Sequence, residues 1–208
     1  MKIIKSKKKF IYLISPNKIN PSFFKNLKKV LALNKTAFFQ LRLKNTPSKK
    51  KILIGKKIKQ ICKFYNVKFL INDDPFIVKK IDADGCHLGQ KDMKLSDARN
   101  LIGKKIIGAT WHNSIKLVKL AIKNNVDYVA LGAFNFSRTK KVRYRASINI
   151  LKKVKKITNT PIVAIGGIND KNYKKLLLNK ANFLAISGYI WNNKKLKPIE
   201  AIKKLIWK

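Results

Sequence analysis

Short runs of β-branched and aromatic residues recur along this chain, separated by longer stretches in which apolar residues return every three or four positions. The first pattern predicts strands and the second amphipathic helices, and their alternation predicts repeated βα units around a parallel sheet. The strand candidates are FIYLIS (10–15), AFFQLRL (37–43), VKFLIN (67–72), DGCHLG (84–89), KIIGAT (105–110), DYVALG (127–132), PIVAIG (161–166) and NFLAIS (182–187). Several are almost continuously apolar, as expected of strands covered on both faces. Between the fifth and sixth, NSIKLVKLAIKNN places Ile115, Val118, Ala121 and Ile122 on one helical face. Eight such units predict a single (β/α)8 TIM barrel over residues 1–208, with its active site at the C-terminal ends of the strands. A doubly wound open sheet is the alternative. No repeat period, low-complexity linker or composition break supports a second domain.

Composition adjusts this picture only slightly. At 208 residues and 46% hydrophobic, the chain can bury one core. Its 49 Lys plus Arg against 9 Asp plus Glu give a formal charge of +40, which would ordinarily favour a polyanionic partner. The lysines, however, are spread through the sequence among Asn and Ile, the pattern of an A+T-rich coding sequence, so the expectation is a solvated basic surface and no specific nucleic acid. Cys62 and Cys86 form no CxxC pair, which argues against a disulfide framework or a zinc site. The basic start MKIIKSKKKFIYLIS lacks the apolar length and cleavage site of a signal peptide and reads as a first strand. No stretch approaches the roughly 18 apolar residues of a membrane span, so a soluble cytoplasmic protein without a membrane partner is expected. Segment 138–145, RTKKVRYR, has few apolar anchors and is expected to be a mobile loop.

Polar residues gather where a barrel would place its chemistry. The second strand carries Gln40, Arg42 and Lys44 at alternate positions, on one side of the strand. The third ends in Asn72 and Asp73, the fourth runs into Gln90 and Asp92, and the fifth ends in Thr110 with His112 beyond. The sixth leads to Ser137, Thr139 and Lys140, and the last two end in Gly166, Gly167 and Gly188. Two carboxylates on neighbouring loops, facing Arg42, Lys44 and Lys140, could hold magnesium against a phosphorylated ligand. Glycines after the last two strands let backbone N–H groups approach a phosphate. Each feature also has a plainer reading. A single Asp after a strand is commonly a turn former or a helix cap, as expected for Asp97 and Asp170. AIGGI alone is a weak signal, His87 reads as packed within its strand, and His112 stays open between the two readings.

Together, QLRLK, IND, DGCHLGQKDM, GATWHN, DYVALGAF, RTKK, AIGGI and AISGYIW, in this order from about Tyr12 to Trp191, resemble the thiamine phosphate synthase family. That family shares its superfamily with the thiazole tautomerases. The resemblance implies a (β/α)8 transferase of thiamine biosynthesis that joins a pyrimidine pyrophosphate to a thiazole phosphate, using magnesium and releasing pyrophosphate. It implies that Gln40, Arg42, Lys44 and Asn72 contact the pyrimidine substrate and its pyrophosphate, and that Asp73 and Asp92 are metal-binding. Lys140, with Arg42 and Thr110, would act in catalysis, Thr110 standing where the family often has serine. Ser137 and Thr139 match hydroxyl positions near the thiazole; Gly167 and the backbone of Ser187 and Gly188 would receive its phosphate. A homodimer is compatible with this reading. Three departures bear on affinity: Asp74 where arginine is usual, Arg138 where an acid is common, and Gly188 in place of a serine. The alternatives are a thiazole tautomerase, whose acid–base residue resembles His112 in position, and a basic nucleic-acid-binding barrel. The aspartate of GQKD and the QxRxK set favour the synthase.

Overall fold

Helix α1 (Pro21–Leu31) begins where the Asn20 side chain accepts the Phe23 N–H and Pro21 presets the first turn. Helix α3 (Pro75–Ile81) repeats the device with Asp74 and Pro75, and α5 (Ile115–Lys123) is capped by Ser114. The computed structural model describes residues 9–111, 113–136 and 145–205. Its strands are β1 (Ile11–Ile14), β2 (Thr36–Leu41), β3 (Lys68–Asn72), β4 (Gly85–Leu88), β5 (Ile106–Thr110), β6 (Tyr128–Gly132), β7 (Ile162–Ile165) and β8 (Phe183–Ile186). The remaining helices are α2 (Ser48–Phe64), α4 (Leu95–Ile102), α6 (Asn149–Ile157), α7 (Tyr173–Leu178), α8 (Gly188–Trp191) and α9 (Pro198–Lys203). All eight strands pair in parallel with their sequence neighbours, and β8 pairs with β1, closing the (β/α)8 barrel. The open-sheet alternative is thereby set aside.

Alternation within the strands separates two apolar layers. Ile11, Leu13, Phe39, Leu41, Phe69 and Ile71 pack outward beneath the helices, against residues such as Leu27, Val30, Ile58 and Cys62. Tyr12, Phe38, Leu70, Ile106, Tyr128, Val163 and Phe183 fill the interior. Phe38 meets Phe183 edge to face at 5.2 Å between ring centroids, and Tyr12 meets Tyr128 at 5.6 Å, contacts between non-adjacent strands that only closure can bring together. Gly108 on β5 is part of this packing, since a Cβ there would collide with the Tyr128 ring. Both cysteines are buried and free. Among the described residues no helix is long and apolar enough to cross a membrane.

Five of the 9 acids, Asp74 among them, are committed to this framework. Asp84, just before β4, accepts the Phe69 N–H at 2.9 Å, and Asp127, just before β6, accepts the Ile107 N–H at 2.8 Å. Asn182 does the same for Ile162 ahead of β8. Asp82 pairs with Lys59 and Lys105, which hold its carboxyl down at about 2. Glu200 accepts the Lys197 N–H at the start of α9. Two expected caps are corrected: Asp97 lies inside the first turn of α4, behind Lys94 at the cap position, and Asp170 precedes Asn172, which occupies that position in α7. Sequence spacing locates a helix start only to within a turn, and these acids fall on either side of it.

Candidate functional site

Asp73 and Asp92 meet at the C-terminal mouth of the barrel. Asp73 follows β3 in a left-handed conformation, φ 64°, which Asp tolerates, and its N–H donates to the His87 carbonyl at 2.9 Å. Asp92 follows β4 on the turn Gly89–Asp92, where its Oδ2 accepts the Gly89 N–H at 2.6 Å. The turn-forming role is therefore real, and it fixes the direction in which the carboxylate faces. Partial burial and the Asp92 carboxylate, within hydrogen-bonding reach, push Asp73 up to about 6, against the opposing pull of Lys44 and Arg42. Two carboxylates held together at that cost form a site suited to a cation.

The floor of the mouth is polar and ordered. Gln40, 2% exposed on the interior side of β2, donates through Nε2 to Asn72 Oδ1 at 2.6 Å. Thr110 at the end of β5 lies 2.6 Å from His87 Nε2, and burial drives the His87 imidazole down to about 4, keeping it neutral. Arg42 is held by Ser15, whose Oγ accepts the Arg42 N–H at 2.9 Å, and its Nη1 reaches Asn17 at 3.5 Å. Strand β2 ends at Leu41, so Arg42 and Lys44 stand on its extension, half-buried and exposed respectively. A cavity of about 230 Å³ opens here, lined by Lys44, Asn45, Lys51, Asn72 and Asp73 among others. Sequence reasoning passed over Lys51, because a lysine in the first turn of a lysine-rich helix carries no distinguishing pattern.

The opposite rim is formed by the ends of β7 and β8. Gly166 and Gly167 have φ of 102° and 58°, and a Cβ on either would collide with the Ala133–Phe136 segment that follows β6. Asn135 N–H donates to the Gly166 carbonyl at 3.1 Å. Their lack of side chains is thus required by loop packing, whatever else their N–H groups do. Gly167→Ala is expected to cost about 1–3 kcal/mol in chemical denaturation, from left-handed strain and overpacking together, so bulk at this position displaces the loop before it could test any ligand. Ser187 Oγ donates to the Ser15 carbonyl at 3.0 Å, and Trp191 Nε1 to the Ile14 carbonyl at 2.7 Å, tying α8 across the seam between β8 and β1. Gly188 opens α8, a four-residue helix in the place where barrels of this kind often hold phosphate.

The structure thus gathers Gln40, Arg42, Lys44, Asn72, Asp73, Asp92 and Thr110 on one side of the mouth and Gly167, Ser187 and Gly188 on the other. Ser137, Arg138, Thr139, Lys140 and most of the expected mobile loop 138–145 lie outside the described residues, as does His112. Asp74, the departure from the usual arginine, spends its carboxylate capping α3 through the Ile77 N–H at 3.1 Å. His87 is packed, as its sequence context suggests, but its tie to Thr110 and Tyr128 was not visible in the sequence.

Comparison with known proteins points the same way. A family model described as thiamine monophosphate synthase matches residues 11–190. The thiamine-phosphate synthase of Pelagibacter ubique (strain HTCC1062) is 64% identical over 99% of this chain and 100% of its own length. That of Erythrobacter litoralis (strain HTCC2594) is 33% identical over 94% of each. The structure of thiamine phosphate pyrophosphorylase from Pyrococcus furiosus superposes with a TM-score of 0.84 at 26% identity, covering 95% of this chain and 94% of that one. With its motifs, its closed barrel and these relatives in agreement, the chain belongs to the thiamine monophosphate synthase family.

Proposed function

We propose that this protein joins a pyrimidine pyrophosphate to a thiazole phosphate, forming thiamine phosphate and releasing pyrophosphate. The observation that carries the reading is the opposition of Asp73 and Asp92 beside Arg42 and Lys44, in a chain 64% identical to a thiamine-phosphate synthase. The pair suits magnesium, which keeps much of its water and takes one or two carboxylates together with substrate phosphate oxygens. Among the described residues no group of three or more His, Cys, Asp or Glu side chains could hold a metal, so any cation here would rest on two carboxylates and its substrate. Magnesium bound by Asp73 and Asp92 would neutralise charge on the departing pyrophosphate.

In the reaction, the bond from the pyrimidine methylene carbon to the pyrophosphate oxygen breaks and a bond from that carbon to the thiazole nitrogen forms. Gln40, Asn72 and Thr110 offer the pyrimidine ring a fixed set of hydrogen-bonding groups. Arg42 and Lys44, together with Lys140, would bind the pyrophosphate and stabilise the negative charge it gains as it leaves. Ser137 and Thr139 would contact the thiazole, and backbone N–H groups at Gly167, Ser187 and Gly188 its phosphate. The displacement removes no proton from carbon, so the site needs no general base.

The test supplies both substrates with magnesium to the purified protein and assays for thiamine phosphate. Product that disappears with a chelator is the expected result. No product, together with thiazole isomerisation that survives the chelator, would assign the protein to the tautomerase branch instead.

A further inference from the structure

Thr110 is the outer end of a file of hydrogen bonds that runs through the barrel interior. Tyr12 Oη lies 2.7 Å from Tyr128 Oη, Tyr128 Oη 2.8 Å from His87 Nδ1, and His87 Nε2 2.6 Å from Thr110 Oγ1. The four residues come from β1, β6, β4 and β5, and both tyrosines are 1% exposed. His87 sits among them with 8% exposure, and burial keeps its ring neutral, so it carries one proton to share between two neighbours.

With a neutral imidazole, three proton arrangements satisfy the distances. In the first, Tyr12 donates to Tyr128, Tyr128 donates to Nδ1, and Nε2–H donates to Thr110, whose own proton remains for the mouth. In the second the order reverses. Thr110 donates to Nε2, Nδ1–H to Tyr128 and Tyr128 to Tyr12, whose proton is then orphaned, because among the described residues Tyr12 Oη has no second partner. In the third, Nδ1–H and Tyr12 both donate to Tyr128, whose own proton is orphaned instead. An orphaned donor in an apolar interior is costly enough to favour the first arrangement over either by at least about tenfold. The closed inner end therefore sets the direction of the whole file.

We propose that His87 and Tyr128 are positioning residues that fix Thr110 as a hydrogen-bond donor to a ring nitrogen of the bound aminopyrimidine. The ligand in this statement rests on the synthase reading; the direction of the file does not. The neighbouring floor fits the same ring. With Gln40 Nε2 committed to Asn72 Oδ1, Gln40 Oε1 remains as an acceptor and Asn72 Nδ2 as a donor. An aminopyrimidine presents ring-nitrogen acceptors beside an amine donor. Gly108 completes the device, since only a residue without Cβ leaves the Tyr128 ring room to reach His87.

The direct test is nitrogen NMR of the histidine-labelled, ligand-free protein. The chain has 2 histidines, and His112→Gln separates their signals. The expected result is a neutral His87 ring protonated at Nε2; protonation at Nδ1, or an even mixture, overturns the proposal. Tyr128→Phe should produce mixed tautomers, and calorimetry with magnesium and without thiazole should show a Kd for the pyrimidine pyrophosphate raised by about tenfold. Tyr12→Phe should keep the Nε2–H tautomer, because Tyr128 still has its own proton to donate. An identical tautomer response in both variants would mean that the column acts by packing alone, which also overturns the proposal. A wild-type protein that binds no pyrimidine pyrophosphate overturns the assignment of the ligand, while the tautomer still decides the direction of the file.

Discussion

Asp92→Asn is expected to fold normally and to turn over about 10²–10³-fold more slowly than wild type at saturating magnesium. The asparagine keeps an oxygen for the Gly89 N–H, so the turn 89–92 survives while the negative charge facing Asp73 is lost. Alanine is the less clean replacement. It would also forfeit the turn bond, at a cost of about 1 kcal/mol of stability, and would mix a folding effect into the kinetics. The loss should fall on kcat, because the charge on the departing pyrophosphate grows as the bond breaks and the cation's worth is greatest in the transition state. Steady-state kinetics with magnesium titrated at fixed substrate would check this. Wild-type turnover in Asp92→Asn would reduce Asp92 to a turn former and remove the central support for magnesium chemistry at this pair.

Much of this site was legible because barrels place their chemistry in a region that the strand pattern already identifies. Gln40, Asn72 and Thr110 alternate correctly on their strands, and the structure puts each at the C-terminal end of its strand or one residue from it. The eight strands were legible because helices cover their outer faces and side chains fill the interior, which leaves runs apolar on both sides. Helix starts were less so: Lys94 and Asn172 stand at cap positions where Asp97 and Asp170 were expected. The Tyr12–Tyr128–His87 file was invisible, since residues 116 positions apart meet only when β8 closes onto β1 and curves the sheet. Lysine abundance hid Lys51 for the opposite reason. When most exposed positions carry the same charge, only geometry distinguishes a site lysine from a solvated one. Acids, being rare, were the more informative residues, and Asp73 and Asp92 stand out as the two that the fold brings against each other.

That pair carries a cost to the fold, and Asp73→Asn should expose it. Asp73 is raised to about 6 in the folded protein, by burial first and by Asp92 next, against about 4 in an unfolded chain. A carboxyl raised on folding favours the folded state fully only while protonated in both states, below about pH 4. Its contribution is lost as pH rises through about 6, so the metal-free wild type should weaken across pH 4–6 through this group. Asp73→Asn removes the titration and should be the more stable protein at pH 7.5, by about 1–2 kcal/mol once the open, partly solvated mouth is allowed for. Magnesium should reverse the order. It compensates the two charges in wild type, raising Tm more at pH 7.5 than at pH 5, where protons compete for the same oxygens, and should do little for the variant. Turnover should fall in Asp73→Asn much as in Asp92→Asn, so the stabilised protein is the inactive one. Thermal denaturation at the two pH values, with and without magnesium, checks every sign. If Asp73→Asn in chelator is no more stable than wild type at pH 7.5, the carboxylates do not oppose each other, and the case for a cation between them fails with that result.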